Sequence, residues 1–515
     1  MAVTYSVSDS IQMLLVGGLL YSIGLLFYRL FFHPLRKIPG PWYAAATSWY
    51  EFYYVVFLDG QLVRQYPILH EKYGPVIRIS PDRIHVSDPS FFREVYANNS
   101  RYLKDSGFYQ AFGTLKYSIV MLIDPEEHKQ RRNTVKSLFS TRQMDQLAPS
   151  ILDVVRRAMN RARRSYDRGA PLNIQAYWSS VTVDTIMSVL FDRQMNFVDS
   201  DEEMPPFLDA MTKFADNFLL TKHFPLMNRL AVGLPMSIAG MIIPGFAAFR
   251  KQCSEWIGEI EEKQAKGLTT ASDGRPTYFD LLLRSNAKMP NGLNREALVD
   301  EAFVLCFAGT DTTGIGLSLG TYYLLKNPEK LNKMLDELKM VKTNAEGLFE
   351  YRELCNLPYL VTSHNPTLTC SLTAVCKEIL RLSSPVPGIT PRRVPAGGVY
   401  VAGHFLPGES TVSQAIRTIH DNPDIFPEPE RFIPERWLGE NGWALEKWFV
   451  PFSKGTRACI GLNVAYMEMY LCLANLFTRF NMSLYKTDDN TTKWADGPAA
   501  RIRESVKVNI DSVKM

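Results

Sequence analysis

The sequence has no C-x-x-C pair, and its seven cysteines, at positions 253, 306, 355, 370, 376, 459 and 472, are odd in number and scattered. A zinc knuckle and a disulfide framework are thereby excluded, and the pattern fits thiols kept reduced in the cytosol. Net charge is also scarce: 57 Lys and Arg against 53 Asp and Glu leave +4 over 515 residues. A nucleic-acid binder, with its clustered basic face, is not expected from that balance. Internal repeats, low-complexity tracts and long linkers are missing as well. Apolar side chain is plentiful, at 46% of residues, so a packed core is affordable and disorder is excluded as the main state.

Long hydrophobic runs are limited to the amino end. From Ile11 to Tyr28 the residues IQMLLVGGLLYSIGLLFY carry no charge, and Arg29 follows at once. That length is near the minimum for crossing a bilayer. Only Asp9 precedes the run, whereas Arg29, Arg36 and Lys37 follow it, so the positive-inside bias puts the bulk of the chain in the cytosol. A cleaved signal would need a basic residue ahead of the run and a small-residue cleavage site, and neither is present. Residues 1–32 are therefore expected to be a single-pass membrane anchor. Residues 33–41, HPLRKIPGP, combine helix-stopping prolines with basic residues suited to lipid headgroups and read as a stiff hinge. Residues 42–515 are expected to form one catalytic domain.

Helical periodicity dominates that body, and short β-branched pieces at Val76–Ser80, Ile84–Ser87 and Val399–Ala402 predict a small sheet. The fold class expected is mainly α with a small β region. The longest helix runs from an N-cap at Asn294 to Lys326, where Asn327-Pro328 stops it; at 1.5 Å per residue it is roughly 45 Å long. Its middle, Phe307-Ala308-Gly309-Thr310-Asp311-Thr312-Thr313-Gly314, sets small and hydroxylated residues and one acid in an apolar helix. Glycine weakens a helix and threonine can bend it. Taken alone, the segment reads as a softened kink or as a site that uses its acid. The glycines from Gly314 to Gly320 match a dinucleotide loop poorly, because no strand-to-helix turn precedes them.

The stretch Phe452-Ser453-Lys454-Gly455-Thr456-Arg457-Ala458-Cys459-Ile460-Gly461 fixes five positions in ten around one cysteine. Gly455 permits a tight turn, Arg457 supplies a cation and Gly461 allows close approach of backbone. The residues after it are helical in pattern, so the sulfur would sit near a helix N-terminus, where the dipole stabilises a thiolate able to bind iron.

With these motifs the sequence resembles the cytochrome P450 superfamily of haem-thiolate monooxygenases, from the anchor nearly to the carboxyl end. Glu378-Ile379-Leu380-Arg381 is similar to the family's E-x-x-R pair, and Phe432-Ile433-Pro434-Glu435-Arg436-Trp437 to its meander. The resemblance implies haem between the long central helix and the Cys loop. It implies Cys459 as the axial iron ligand, and His128, Arg132, Arg392, Phe452, Arg457 and Gly461 around the haem, with Arg393 a rival to Arg392. Ala308 and Gly309 would border the haem, Asp311 and Thr312 would deliver protons through ordered water, and Glu378, Arg381 and Arg436 would form a structural ion network. His128 stands where the family more often has Trp.

The partners implied are haem b, O2, and NADPH acting through a separate membrane-bound reductase or a small electron-donor haem protein. An endoplasmic-reticulum location and a monomer are expected. Substrate-facing candidates are the loop Gly107–Met121, the long helix around Phe303 and Phe307, and the run Gly233–Phe249, which is either a buried helix pair or a surface dipping into the bilayer. ISPDRIHVSDPSFF, AFGTLKYS and IHDNPDIFPEPERFIPERW look like filamentous-fungal members related to the trichodiene oxygenase group. They imply an apolar terpenoid or terpenoid-polyketide substrate of secondary metabolism. Residues 361–372, VTSHNPTLTCSL, interrupt what would otherwise read LPYLTAVCKEILR, either as a tolerated loop or as a stretch normally removed by splicing. The alternative function is a haem-binding protein without oxygenase activity.

Overall fold

The computed structural model describes residues 7–110, 115–209, 211–212, 223–224, 244–267, 271, 274–286, 292–355 and 371–514. Most of the expected insertion, residues 361–370, lies outside these, as does most of the Gly233–Phe249 run. The chain divides into two compact units, residues 1–105 with 389–418, and residues 106–388 with 419–515.

The first unit opens with a helix, Val7–Phe31, three residues longer at its carboxyl end than the apolar run. Its apolar window is 0% buried, whereas the other helix long and apolar enough to cross a membrane among the described residues, Arg295–Lys326, has a window that is 78% buried and belongs to a core. The hinge that follows is docked onto the unit: Leu35 and Ile38 are buried, and Pro39 O accepts from Arg78 N at 2.7 Å. Arg29 donates to Ala46 O at 3.0 Å, and the buried Arg78 donates to Arg29 O at 3.0 Å. The last turn of the apolar helix is thus bonded to the unit.

A four-stranded sheet runs in the order Val76–Ser80, Arg83–Val86, Thr411–Ser413, Arg392–Arg393. Its β-branched interior explains the expected strands; the middle pair is parallel and the outer pairs antiparallel. His85 Nε2 accepts from Ala415 N at 3.1 Å, so a neutral His85 carries its proton on Nδ1. That proton points to His70 Nε2 at 2.7 Å, and His70 Nδ1 then donates to Gly74 O at 2.7 Å. Burial holds both rings below the usual histidine pKa, His85 well below.

The second unit is built on the helix Arg295–Lys326. Asn294 caps it, its Oδ1 accepting from Ala297 N at 2.9 Å, and Asn327-Pro328 ends it. It is one uninterrupted helix, not a broken one. The glycine in its middle serves packing: a Cβ on Gly309 would fall 2.5 Å from Ile186 Cγ1 and 2.9 Å from Ile186 Cβ, so the helix Ile174–Phe191 can cross there only over hydrogen. Helices Ser371–Ser383 and Leu462–Arg479 pack on other faces. Ser371 and Leu372, the last two residues of the expected insertion, form the first turn of their helix. Leu372 is buried, and Ser371 N donates to Glu337 Oε2 at 2.7 Å.

Candidate functional site

Cys459 lies in a loop that its own backbone closes. Cys459 N donates to Phe452 O at 2.9 Å and Ala458 N to Gly455 O at 3.1 Å. Gly455 takes φ +71°, in the left-handed region that favours glycine, and opens a single 3-10 turn, Gly455–Arg457. The helix Leu462–Arg479 starts just beyond, with Gly461 as its N-cap. The Gly461 N–H donates to the sulfur and the Arg132 cation lies near it; both favour the thiolate, while desolvation outweighs them and pushes the thiol's pKa up. No steric need for glycine shows at Gly461, where a Cβ would meet nothing nearer than Cys459 Sγ at 4.0 Å. Of the six cysteines described, Cys459 alone is exposed.

Arg132 and His128 sit one turn apart on the helix Pro125–Val135, which Asp124 caps and Pro125 starts. Arg132 donates to Ala458 O at 2.8 Å, beside the thiol. His128 is buried. Arg457 donates to the carbonyls of Leu122, Ile123 and Asp124 at 2.8, 3.0 and 3.3 Å. Phe452 packs its ring 5.6 Å from that of Tyr466.

On the long helix, Ala308, Gly309, Asp311 and Thr312 are half-buried, whereas the residues on either side of this stretch are buried. Thr312 Oγ1 donates to Ala308 O at 2.8 Å. Desolvation raises the Asp311 carboxyl to about 7.

Arg392 belongs to the first unit. It is buried with its guanidinium 5.0 Å from the Tyr96 ring centroid and donates to Pro391 O at 3.0 Å. Its rival Arg393 is committed to Asp105 and Glu409, at 3.4 and 3.3 Å.

The ion network is more extensive than its motifs suggest. Arg436 Nε donates to Glu378 Oε1 at 3.0 Å, and Trp437 Nε1 to Glu378 Oε2 at 2.8 Å. Arg381 adds the carbonyls of His420, Pro429 and Arg431. Trp437, adjacent to Arg436 in the meander, was the available signal for this further donor. Asp300 and Glu301 also escaped the sequence reading, although two adjacent acids in an apolar helix were a visible anomaly.

A family model, Cytochrome P450, matches residues 44–504. The chain belongs to the cytochrome P450 family. Cytochrome P450 monooxygenase BOT1 of Botryotinia fuckeliana is 46% identical over 503 residues, covering 97% of this chain and 96% of that protein. Cytochrome P450 monooxygenase aneF of Aspergillus aculeatus is 34% identical over 504 residues, covering 96% and 99%. Cytochrome P450 monooxygenase phqM of Penicillium fellutanum is 36% identical over 487 residues, covering 93% and 87%. The chain is accordingly an oxidoreductase of the haem-thiolate kind, with P450 haem as its cofactor.

The residues present fit that group. Among the described residues no set of three or more His, Cys, Asp or Glu stands together to hold a metal ion. An iron at Cys459 would take one protein ligand and need a macrocycle for the rest. Arg132 and His128, close in sequence and on one helix, suit the carboxylates of a porphyrin. Ala308, small and half-buried on the long helix, leaves room for a planar ring, whereas the bare face of Gly309 is taken by Ile186.

Proposed function

We propose that this P450 is a membrane-anchored monooxygenase that inserts one atom of O2 into an apolar small molecule, a terpenoid or terpenoid-polyketide of fungal secondary metabolism. The observation that carries the reading is Cys459, among the described cysteines the one that is exposed, at a helix N-terminus and within a unit whose longest described helix turns small and acidic at its half-buried centre. Bound haem supplies the redox chemistry, its thiolate ligand pushing electron density toward iron and favouring O–O cleavage. The chain's own residues do the rest. Cys459 ligates, and the Gly461 N–H and Arg132 temper the charge on its sulfur. Arg132, His128 and Arg457 would bind the porphyrin carboxylates, with Phe452 and Gly461 lining the proximal loop. The Asp311 carboxyl, raised to about 7, is a proton donor matched to neutral pH. The Thr312 hydroxyl, on the next residue, passes the proton through water by exchanging its bond to Ala308 O.

Electrons come from NADPH through a separate reductase in the endoplasmic-reticulum membrane, and the helix Val7–Phe31 crosses that membrane once with the body in the cytosol. The reduced-CO spectrum of the purified protein tests the thiolate, and a red-shifted carbonyl band is expected. Co-expression with a reductase in a host making terpenoids tests the reaction, with products heavier by one oxygen. A normal carbonyl band with NADPH consumed and no oxygenated product from any terpenoid would remove the substrate assignment.

A further inference from the structure

Three sulfurs from three helices meet beside the centre of the long helix. Cys306, on Arg295–Lys326, donates its S–H to Met187 Sδ, on Ile174–Phe191, at 3.5 Å. The thiol of Cys253, on Pro244–Ala265, shares a hydrogen bond with that of Cys306. All three side chains are wholly buried. Neighbouring contacts hold the helices close at this point: Ile186, the residue before Met187, fills the bare face of Gly309, and the Phe249 and Phe303 rings, about one turn before the two cysteines, meet at 4.7 Å between centroids. None of the three sulfurs has a part in the Cys459 site.

Two thiols and a thioether are a soft donor set, the kind that selects Cu(I). A trigonal site with bonds of about 2.3 Å asks for about 4.0 Å between sulfurs, so Cys306 and Met187, now 3.5 Å apart, would part by about half an ångström. Among the described residues no His, Asp or Glu completes a set of three with the two cysteines, so a zinc ion would lack its usual fourth ligand. Charge points the same way. Burial pushes the Cys253 thiol well above its ordinary pKa, and a net charge in an apolar core is costly. A single positive charge is cancelled by the loss of one proton, and the second thiol keeps its own.

We infer that Met187, Cys253 and Cys306 form a binding site for one soft monovalent cation of the Cu(I) class, held as a neutral complex of one thiolate, one thiol and one thioether, which ties the long helix to both neighbours. Binding breaks one S–H bond, forms a sulfur–metal bond in its place and releases the proton to solvent; no electron is transferred.

The experiment gives Ag(I), which matches Cu(I) in charge and softness, to the holoenzyme in the presence of a competing soluble thiol, followed by desalting. The sulfurs are inaccessible, so the ion enters by local opening and the incubation is long. The unaltered protein is expected to retain about one Ag(I) per haem, with sulfur as its only neighbour in the X-ray absorption spectrum. The carbonyl band of the reduced protein should stay as it was, which separates this site from Cys459. Cys306→Ser is expected to abolish retention. Met187→Leu, similar in size and without the thioether, should raise the Kd for Ag(I) at least 10-fold, and Cys376→Ser, which removes a buried thiol elsewhere, should change it less than 2-fold. Where Cys306→Ser does not accumulate with haem, Cys253→Ser replaces it. No ion retained by the unaltered protein, full retention in either serine variant, or an unchanged Kd in Met187→Leu overturns the inference.

Discussion

Arg381 Nε and Nη2 donate to the two oxygens of Glu378, at 2.9 and 2.8 Å, and both side chains are wholly buried. A planar fork meeting a carboxylate away from water is strong only while both partners stay. Removing Glu378 strips the buried Arg381 of its carboxylate, which typically costs about 3–5 kcal/mol, whereas removing Arg381 leaves Glu378 still held by Arg436 and Trp437. Glu378→Ala is expected to lower the unfolding free energy read from the urea transition by that much, Arg381→Ala by less, and both to lower haem retention. The double variant should fall short of the sum, because the second deletion removes the charge that the first left stranded.

Cys459→His is expected to keep the fold, since the loop is closed by the Cys459 N–Phe452 O bond and not by the sulfur. The carbonyl spectrum of the reduced protein should lose its red shift, and O2-dependent product should vanish. A red-shifted band surviving in this variant would assign the thiolate to another cysteine.

Asp311 links pH to both stability and turnover. Its folded pKa, about 7, is raised from 3.8 by desolvation. A carboxyl raised on folding adds stability that is full below about pH 4 and is lost as pH rises through about 7. Between pH 5 and 8 the unaltered protein should therefore lose more of its urea midpoint than Asp311→Asn. Turnover should decline above pH 7 as the donating form disappears, and Asp311→Asn should lower product formation about 10²-fold or more at every pH. Equal pH profiles for the two proteins would remove Asp311 from proton delivery.

The His70–His85 pair acts in the other direction. Protonating His85 abolishes its acceptance from Ala415 N, and protonating His70 as well sets two cations against each other. A histidine depressed on folding contributes stability that is present above about pH 6.5 and lost as pH falls below it. The first unit should be acid-labile, and His85→Leu should be less stable at pH 7.5 yet show a flatter decline toward pH 5. Backbone exchange in the strand Arg83–Val86 is the direct measurement.

Residues 361–372 give a test from sequence. Deleting them puts Leu360 in the place of the buried Leu372, in register with Thr373, and removes the helix-breaking Pro366. The shortened protein is expected to retain more haem; equal haem content in both forms would mark the segment as a tolerated loop.

Periodicity and punctuation made much of this legible. The Asn294 cap, the Asn327-Pro328 stop and the β-branched strands are local signals, and the structure has those elements within a residue of the expected bounds, although Val399–Val401 pairs with His404–Leu406 in a separate two-stranded sheet. The Cys459 loop was legible because five positions in ten are fixed at once, Cys459 itself among them. Tertiary partners were not. Nothing near Gly309 announces that Ile186 crosses it. Glu301 gathers donors from positions 119, 131 and 278, and only folding brings them together. The hinge at 33–41 looked like a spacer because the sequence does not show that Pro39 O meets Arg78 N.

That docked hinge changes how the amino-terminal helix behaves. With Arg29 bonded to Ala46 O and Arg78 bonded to Arg29 O, the helix is a post and not a leash. A post transmits torque. A spin label near Tyr21 and one near Trp42 would tumble as one object, and in the membrane crossing proposed above the pitch of the helix would set the tilt of the unit it is bolted to.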